Sequence, residues 1–183
     1  MRDIAFVQSR DNGRTFSPPI RISEDQWQLD GCPDDGPAMA VDTSNTVHIV
    51  WPTVIGGANP EGALFYTSTR DGRTSAPRQR VATLGGPKPS HPQIVIDRTG
   101  RLFVAWDEVR NGVRTAAVRS LAISAAGHAT FGDPQLLSAG SPSAYPVMAA
   151  TSSGVLVAWT AGPPDRSTIA VTRVDGAPST TAR

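Results

Sequence analysis

The sequence predicts an all-β fold assembled from repeated antiparallel strand units, and three observations support that prediction. An apolar run, a polar turn and a second run rich in Val, Ile and Leu recur three times, at residues 36–51, 91–106 and 145–159. Each copy ends on a tryptophan, and the three tryptophans are 55 and 53 residues apart. Helical periodicity is almost missing from the chain. Short apolar runs joined by a polar turn are typical of β-hairpins, and a fixed period of this length is typical of repeat architectures.

Each hairpin supplies two strands, A and B, and further strands follow it. A third strand, C, is predicted at 63–69, 113–121 and 167–174. A fourth strand, D, is predicted at 77–82 and 134–138, and the chain opens on a C–D pair at 3–9 and 19–23. Four antiparallel strands per unit describe the blades of a β-propeller, with strand A at the axis and strand D outermost. The chain therefore holds about three and a half blades, with boundaries near residues 36, 91 and 145, and residues 175–183 are predicted to be a disordered tail.

Such a chain is not expected to close a ring alone, because propellers close with about four to eight blades. It is a piece of a larger propeller, or two copies associate, or strands at its two ends pair to shut a small ring. An open propeller leaves unpaired strand edges and an exposed apolar blade face, which favours the first interpretation. The second predicts an obligate homodimer.

Composition excludes several classes of partner and cofactor. Seventeen Lys plus Arg balance 16 Asp plus Glu without a basic stripe, so neither nucleic acid nor a membrane surface is predicted as a partner. Cys32 is the single cysteine, which excludes an internal disulfide and zinc clusters of the CxxC type. No metal or other cofactor is predicted. No apolar run is long enough to span a membrane and no signal peptide is visible, which leaves secretion of a longer parent protein open.

The turn between the first C and D strands carries a recognisable motif. It is formed by Ser9, Asp11, Gly13, Thr15 and Phe16. This pattern resembles the Asp-box, or bacterial neuraminidase repeat (BNR), of the sialidase-like superfamily. Asp11 can accept hydrogen bonds from the turn's own amides, Gly13 can adopt positive φ, and Phe16 is expected to insert between sheets. A worn copy at 68–77 keeps Asp71, Gly72 and Thr74, and a third retains only Thr130 and Phe131.

The resemblance implies that the chain is part of a six-bladed sialidase-like propeller whose ligand is a glycan. It also implies a structural role for the motif residues, because Asp-boxes are C–D turns and sialidases bind substrate on the opposite face. That face carries the B–C and D–A loops. In the D–A loop 24–36, Trp27, Asp34 and Asp35 suit sugar binding, since a ring stacks on C–H faces and carboxylates accept hydroxyl hydrogen bonds. The alternative is that Trp27 holds its own loop and the acids cap turns.

Candidate catalytic residues follow the second repeated tryptophan. Asp107, Glu108 and Arg110 form a cluster that could be half of a glycosidase constellation or an exposed salt bridge. His91 and Tyr145 occupy equivalent positions before the proline of strand A and are expected to flank the axial mouth. The resemblance gives Tyr145 a possible role as nucleophile, because sialidases use a tyrosine backed by a glutamate.

Other residues fit the sialidase pattern poorly. Sialidases bind the substrate carboxylate with three arginines, and here only Arg110 and Arg166, both in B–C loops, are candidates. His48 aligns with Phe103 and Leu156 in the other copies, which predicts an apolar slot rather than a ligand site.

Two functions therefore stand: a glycoside hydrolase of exo-α-sialidase type or its remnant, and a non-catalytic propeller module that binds carbohydrate or protein. Carboxylates converging on an axial cleft would favour the hydrolase, and a shallow mouth without paired acids would favour the module.

Overall fold

The computed structural model describes residues 3–26, 35–56, 58–124, 127–138 and 140–174, and these ranges confirm the all-β class. Their strands form four antiparallel sheets. Sheet 1 contains β1 (Ala5–Phe6) and β2 (Ile20–Arg21), and sheet 2 contains β3 (Ala38–Val41), β4 (Val47–Ile55), β5 (Glu61–Thr69) and β6 (Gln79–Arg80). Sheet 3 contains β7 (Ser90–Ile96), β8 (Leu102–Arg110), β9 (Val113–Ile123), β10 (Ala129–Phe131) and β11 (Gln135–Leu136). Sheet 4 contains β12 (Ser143–Thr151), β13 (Gly154–Ala161) and β14 (Thr168–Val174), and a 3-10 turn, Pro164–Arg166, precedes β14.

Each sheet follows the chain order A, B, C, D that the repeat predicts. Sheet 3 differs in one respect: the fourth strand predicted at 134–138 is β11, and a further strand, β10, forms within the segment predicted as the C–D turn, so that two short pieces pair with β9. Pro134 separates the two pieces and has no N–H to give to the ladder. None of the described segments is a helix long and apolar enough to cross a membrane.

The core lies between neighbouring sheets rather than inside any one of them. Successive residues of a strand enter different clusters: Val104 and Trp106 of β8 pack toward sheet 2, whereas Phe103 and Ala105 pack toward sheet 4. A third cluster, around Trp51, joins sheets 1 and 2. Covering both faces explains why the strands read as nearly continuous apolar runs. The innermost strands β3, β7 and β12 contact one another in order, as consecutive blades around an axis would.

The two ends of this row of sheets leave apolar side chains exposed. Ile169 and Val171 of sheet 4 are 72% and 59% exposed, and Met39 of sheet 2 is 65% exposed. An open row of blades predicts such faces. The number of blades, the closure of the ring and the homodimer remain predictions.

The first C–D turn has the hydrogen bonds expected from its sequence. Asp11 Oδ1 accepts from the amides of Arg14 and Thr15 at 3.1 and 2.9 Å, and Gly13 has a φ of 83°. The amide and hydroxyl of Thr15, then the hydroxyl of Ser9, lower the pKa of Asp11 to about 2. In the second turn Asp71 repeats this geometry.

Two details of these turns correct the sequence interpretation. Phe16 does not insert between sheets but is 63% exposed, lining a shallow groove beside the Asp71–Arg73 turn. Phe131 is the motif aromatic that packs against the core between sheets 2 and 3. In the worn copy the residue that corresponds to Ser9 is Thr69 rather than Ser68, because its hydroxyl accepts from the Gly72 amide at 3.1 Å.

Candidate functional site

A pocket of about 380 Å³ opens where β3, β7 and β12 begin. We call it the axial pocket. Three sheets contribute the same element to its lining, the proline of strand A with the residue before it: Gly36 and Pro37, His91 and Pro92, and Tyr145 and Pro146. Gln93 and Val147 complete the lining. The structure thus places His91 and Tyr145 at the mouth, as their equivalent positions predict.

His91 and Tyr145 share an unusual backbone conformation. Their φ angles are 52° and 53°, in the left-handed region that residues other than glycine seldom adopt. Each interrupts the register of its strand, between Ser90 and Gln93 in β7 and between Ala144 and Val147 in β12. The two rings meet with their centroids 4.3 Å apart. Strained residues of this kind cluster at binding and catalytic sites, where the surrounding structure compensates for their cost.

A buried carboxylate supplies that compensation. Asp107, with no exposed surface, accepts a hydrogen bond from the Tyr145 amide at 2.6 Å and from His91 Nδ1 at 2.9 Å. Arg114 forms an ion pair with its other oxygen. The His91 amide is held in the same way by Asp35 Oδ1, at 2.6 Å. Two carboxylates therefore fix the two strained residues in place.

His91 is positioned to carry a positive charge. Its Nδ1 faces Asp107, and its Nε2 lies 3.5 Å from Asp35 Oδ1. Burial lowers the pKa of His91, but the hydrogen bond and charge of Asp107, followed by the charge of Asp35, outweigh burial and raise it above its usual value. The two ring nitrogens of His91 thus face two acids that sequence analysis had placed in separate loops.

Glu108 lies outside the axial pocket. Strand alternation turns its side chain away from that of Asp107, and its carboxylate accepts from the Gly86 amide at 2.6 Å, the Leu84 amide at 3.1 Å and Trp106 Nε1 at 2.7 Å. Its geometry is that of an anchor for the loop 84–86. The structure therefore does not bring together the predicted pair of Asp107 and Glu108.

The remaining nominated residues lie apart from the pocket or outside the described ranges. Arg110 is exposed at the far end of β8. Arg166 lies in the 3-10 turn with a side chain that is 81% exposed. Trp27 and Asp34 fall outside the described residues.

Sequence analysis missed Arg114, which contacts the central carboxylate. Asp107 pairs with Ala116 across the β8–β9 ladder, so Arg114 lies two residues beyond the directly opposed position. Long side chains reach such diagonal neighbours. A register for the hairpin around Asn111 and Gly112 would have revealed the contact.

The three repeated tryptophans have a second role besides packing. Each indole N–H reaches an acceptor that holds the D–A loop before its own sheet. Trp51 donates to Asp25 at 2.8 Å, Trp106 donates to Glu108, and Trp159 donates to Ser138 at 3.0 Å. The described parts of the three D–A loops are therefore anchored to the strands that carry these tryptophans or to their neighbours.

Within the described ranges, no group of three or more His, Cys, Asp and Glu side chains is arranged to hold a metal ion.

No family model and no curated protein sequence matches the chain. Among solved structures, the chain is similar to an endo-arabinase from Bacteroides thetaiotaomicron, with a TM-score of 0.49, 10% identity, and coverage of 76% of this chain and 55% of that one. It is also similar to a structure described under the GH130 family of mannoside phosphorylases, which contains glycoside hydrolases that target β-1,2-mannosidic linkages in Candida mannan. There the TM-score is 0.45, the identity 10%, and the coverage 76% of this chain and 50% of that one. The chain thus spans about half the length of the structures it matches.

Proposed function

We propose that the axial pocket binds a glycan through one of its sugar rings. The observation that supports this most directly is the pair of strained residues, His91 and Tyr145, held by one buried carboxylate at equivalent positions of two sheets. A fold spends conformational energy on two such residues where their side chains are needed in fixed positions. Both side chains line the same pocket.

The chemistry of the pocket suits a sugar. Tyr145 is 54% exposed and offers a ring on which C–H faces can stack, while the Gln93 amide and the Tyr145 hydroxyl can form hydrogen bonds with sugar hydroxyls. A volume of about 380 Å³ is at the lower end of the ~300–1,000 Å³ range of small-molecule pockets, which suits a single ring.

Binding is a better interpretation than hydrolysis because the two carboxylates that hold His91 and Tyr145 already accept hydrogen bonds from protein groups. Asp107 accepts from three protein donors, and Asp35 accepts from the amide and faces the imidazole of His91. A general acid needs a carboxyl group that can give its proton to the leaving oxygen. Neither carboxylate is arranged to do so.

A second candidate is the glycoside hydrolase of exo-α-sialidase type, and one observation favours it. Tyr145 lies beside His91, whose Nδ1 is bound to Asp107, so a tyrosine, a histidine and a carboxylate are adjacent. To activate the tyrosine as a nucleophile, His91 would have to be neutral and turn Nε2 from Asp35 to the tyrosine hydroxyl. In this version the His91–Asp107 pair takes the place expected of Glu108, and Arg110 or Arg166 would have to approach the substrate carboxylate.

Titration calorimetry separates these functions. The purified chain is titrated with sialyllactose, lactose and arabinan oligosaccharides, and the Tyr145→Ala variant is compared with Phe16→Ala, which removes an equally exposed ring on the opposite face. Stacking predicts about tenfold weaker binding for Tyr145→Ala and no change for Phe16→Ala. Equal binding by both variants, or binding of no glycan by the parent chain, contradicts the proposal. Release of fluorophore from a fluorogenic sialoside, lost in Tyr145→Phe, would establish the hydrolase instead.

A further inference from the structure

A second cavity lies on the opposite face, between sheets 2 and 3. It has a volume of about 830 Å³. Its walls are A–B and C–D turns of the two sheets, so it is separate from the D–A ends that form the axial pocket. We call it the inter-sheet cavity. Its size falls within the ~300–1,000 Å³ range of small-molecule sites.

A buried chain of polar groups borders this cavity where the sister sheets are apolar. Tyr66, with no exposed surface, is 2.7 Å from His48 Nδ1, and His48 Nε2 is 3.4 Å from Asp42 Oδ2. Since the carboxylate can only accept, His48 carries its proton on Nε2 and accepts from the Tyr66 hydroxyl. The sequence prediction of an apolar slot at His48 is therefore wrong: its ring is buried, but it is the centre of a hydrogen-bond chain.

The other repeats show what packing alone would require. By strand register, the counterparts of His48 are Phe103 and Leu156. Those of Tyr66 are Val118 and Val171. An apolar pair fills these places without the cost of burying polar groups. Sheet 2 bears that cost, and buried polar networks of this kind fix side chains in specific orientations.

A second, independent observation concerns Thr46. It is 7% exposed and lines the cavity, and its hydroxyl has no hydrogen-bond partner among the described residues. A buried hydroxyl without a partner is uncommon in a folded protein and calls for an explanation. A ligand in the cavity that Thr46 lines would supply the missing partner.

The lining indicates which ligand fits. Hydroxyl side chains dominate the polar part: those of Thr69, Thr74 and Ser124 also bond within their own turns, and Ser68 and Ser75 add two more. Leu102, Leu121 and Ile123 form an apolar strip. Two charged groups of the lining are paired within the protein, since Asp42 accepts from two turn amides and His48, and Arg101 pairs with Asp97; Arg70 also lines the cavity but is exposed to solvent. Burial lowers the pKa of His48 despite Asp42, so the ring adds no charge. Hydroxyls both donate and accept, and they match a neutral partner with many hydroxyls.

We infer that the inter-sheet cavity is a second binding site, which takes a small neutral polyhydroxylated ligand such as a monosaccharide or cyclitol. Ser68 and Thr46 form hydrogen bonds with its hydroxyls, and the apolar strip packs against its C–H face. The inference does not depend on the axial pocket. A chain that binds at both places holds ligands on two opposite faces.

The test uses the double variant His48→Phe/Tyr66→Val, which copies the apolar pair of sheet 3. Backbone amide shifts of the whole chain are followed by NMR during titration with D-glucose, D-galactose and myo-inositol, with D-glucuronate as the charged comparison. The parent chain should show saturable shifts at Ser68 and Thr69, and the double variant should bind at least about tenfold more weakly while unfolding at a higher temperature. Tyr145→Ala should leave these shifts unchanged. Loss of binding together with a gain in stability is an outcome that a purely structural network cannot produce.

Other outcomes overturn the inference. Unchanged affinity in the double variant, or no saturation by the three neutral probes, means that the cavity is only a gap between sheets. Preference for D-glucuronate would make exposed Arg70 the main recognition element and refute the neutral class. If the double variant does not fold, Ser68→Ala takes its place, because it removes one hydroxyl at the cavity wall and leaves the apolar core unchanged.

Discussion

Replacing Glu108 by alanine should destabilise the protein strongly without acting on the axial pocket. The variant leaves three donors without their acceptor: Trp106 Nε1, which is fully buried, and the half-buried amides of Leu84 and Gly86. A buried donor left without a partner costs about 1–3 kcal/mol. The two amides can regain water and are worth about 0.5–1.5 kcal/mol each. The free energy of unfolding should therefore fall by about 2–6 kcal/mol.

Urea unfolding followed by tryptophan fluorescence measures this change from the midpoint and slope. The matched control is Glu61→Ala, because Glu61 has a side chain that is 57% exposed and forms a surface ion pair with Arg80. Pairs of this kind contribute about 0–1 kcal/mol. Glu108→Gln, which keeps the shape and one accepting oxygen, should fall between the two. If Glu108→Ala were as stable as the control yet lost glycan binding, the loop-anchor role would be refuted and the catalytic hypothesis restored.

Three further predictions concern acid stability, the central histidine and one glycine. The pKa of Asp11 is about 2 in the fold against a usual 3.8, so its stabilising contribution is complete above about pH 3.8 and is lost as the pH falls toward 2. When thermal unfolding is followed from pH 5 downward, the unfolding temperature of Asp11→Asn should therefore fall less than that of the parent. Parallel curves for the two proteins would contradict this. The pKa of His91 is raised above 6.5, so its contribution to the free energy of unfolding is complete below pH 6.5 and disappears as the pH rises through the pKa of the folded state. An NMR titration should show that Asp107→Asn lowers the pKa of His91. An unchanged pKa would exclude Asp107 as the cause. Gly86→Ala would place a Cβ 2.6 Å from a main-chain oxygen of β8 and should cost about 1–3 kcal/mol in a denaturation assay, whereas Gly36→Ala, with no atom within 4 Å, should change stability by less than about 0.5 kcal/mol.

The sequence predicted the features that depend on strand alternation and spacing. The equivalence of His91 and Tyr145 followed from counting along the repeat, and both lie in the axial pocket. The hydrogen bonds of the C–D turns could be predicted because they are local: Asp11 accepts from amides three and four residues away, and Asp71 accepts from an amide three residues away. Such features are decided within one or two strands. They are visible without knowledge of the neighbouring sheet.

What the sequence could not predict depends on which side of a strand faces which neighbour. Asp107 and Glu108 are adjacent and alternation places them on opposite sides of β8, but only the packed sheets show that Asp107 binds His91 and Tyr145 whereas Glu108 binds the loop 84–86. His48 was interpreted from its apolar counterparts, but its partner Tyr66 comes from β5 and its partner Asp42 from a turn. Phe16 was assigned by analogy with its motif. Whether that side chain is buried depends on how the neighbouring sheet packs, which the residues of the turn do not specify, and the side chain is exposed.

The tryptophan anchors determine how this chain could be changed by loop exchange. In sheets 2 and 4 the acceptor, Asp25 or Ser138, belongs to the loop, so a grafted loop must bring an acceptor of its own. In sheet 3 the acceptor is Glu108, which stays on the strand and holds main-chain amides rather than side chains. Any loop that keeps the glycine at position 86 can offer such amides, because they do not depend on the other side chains. The segment before β7 is therefore the one part of the described rim where new recognition sequences could be installed, by selection or by design, without rebuilding their support.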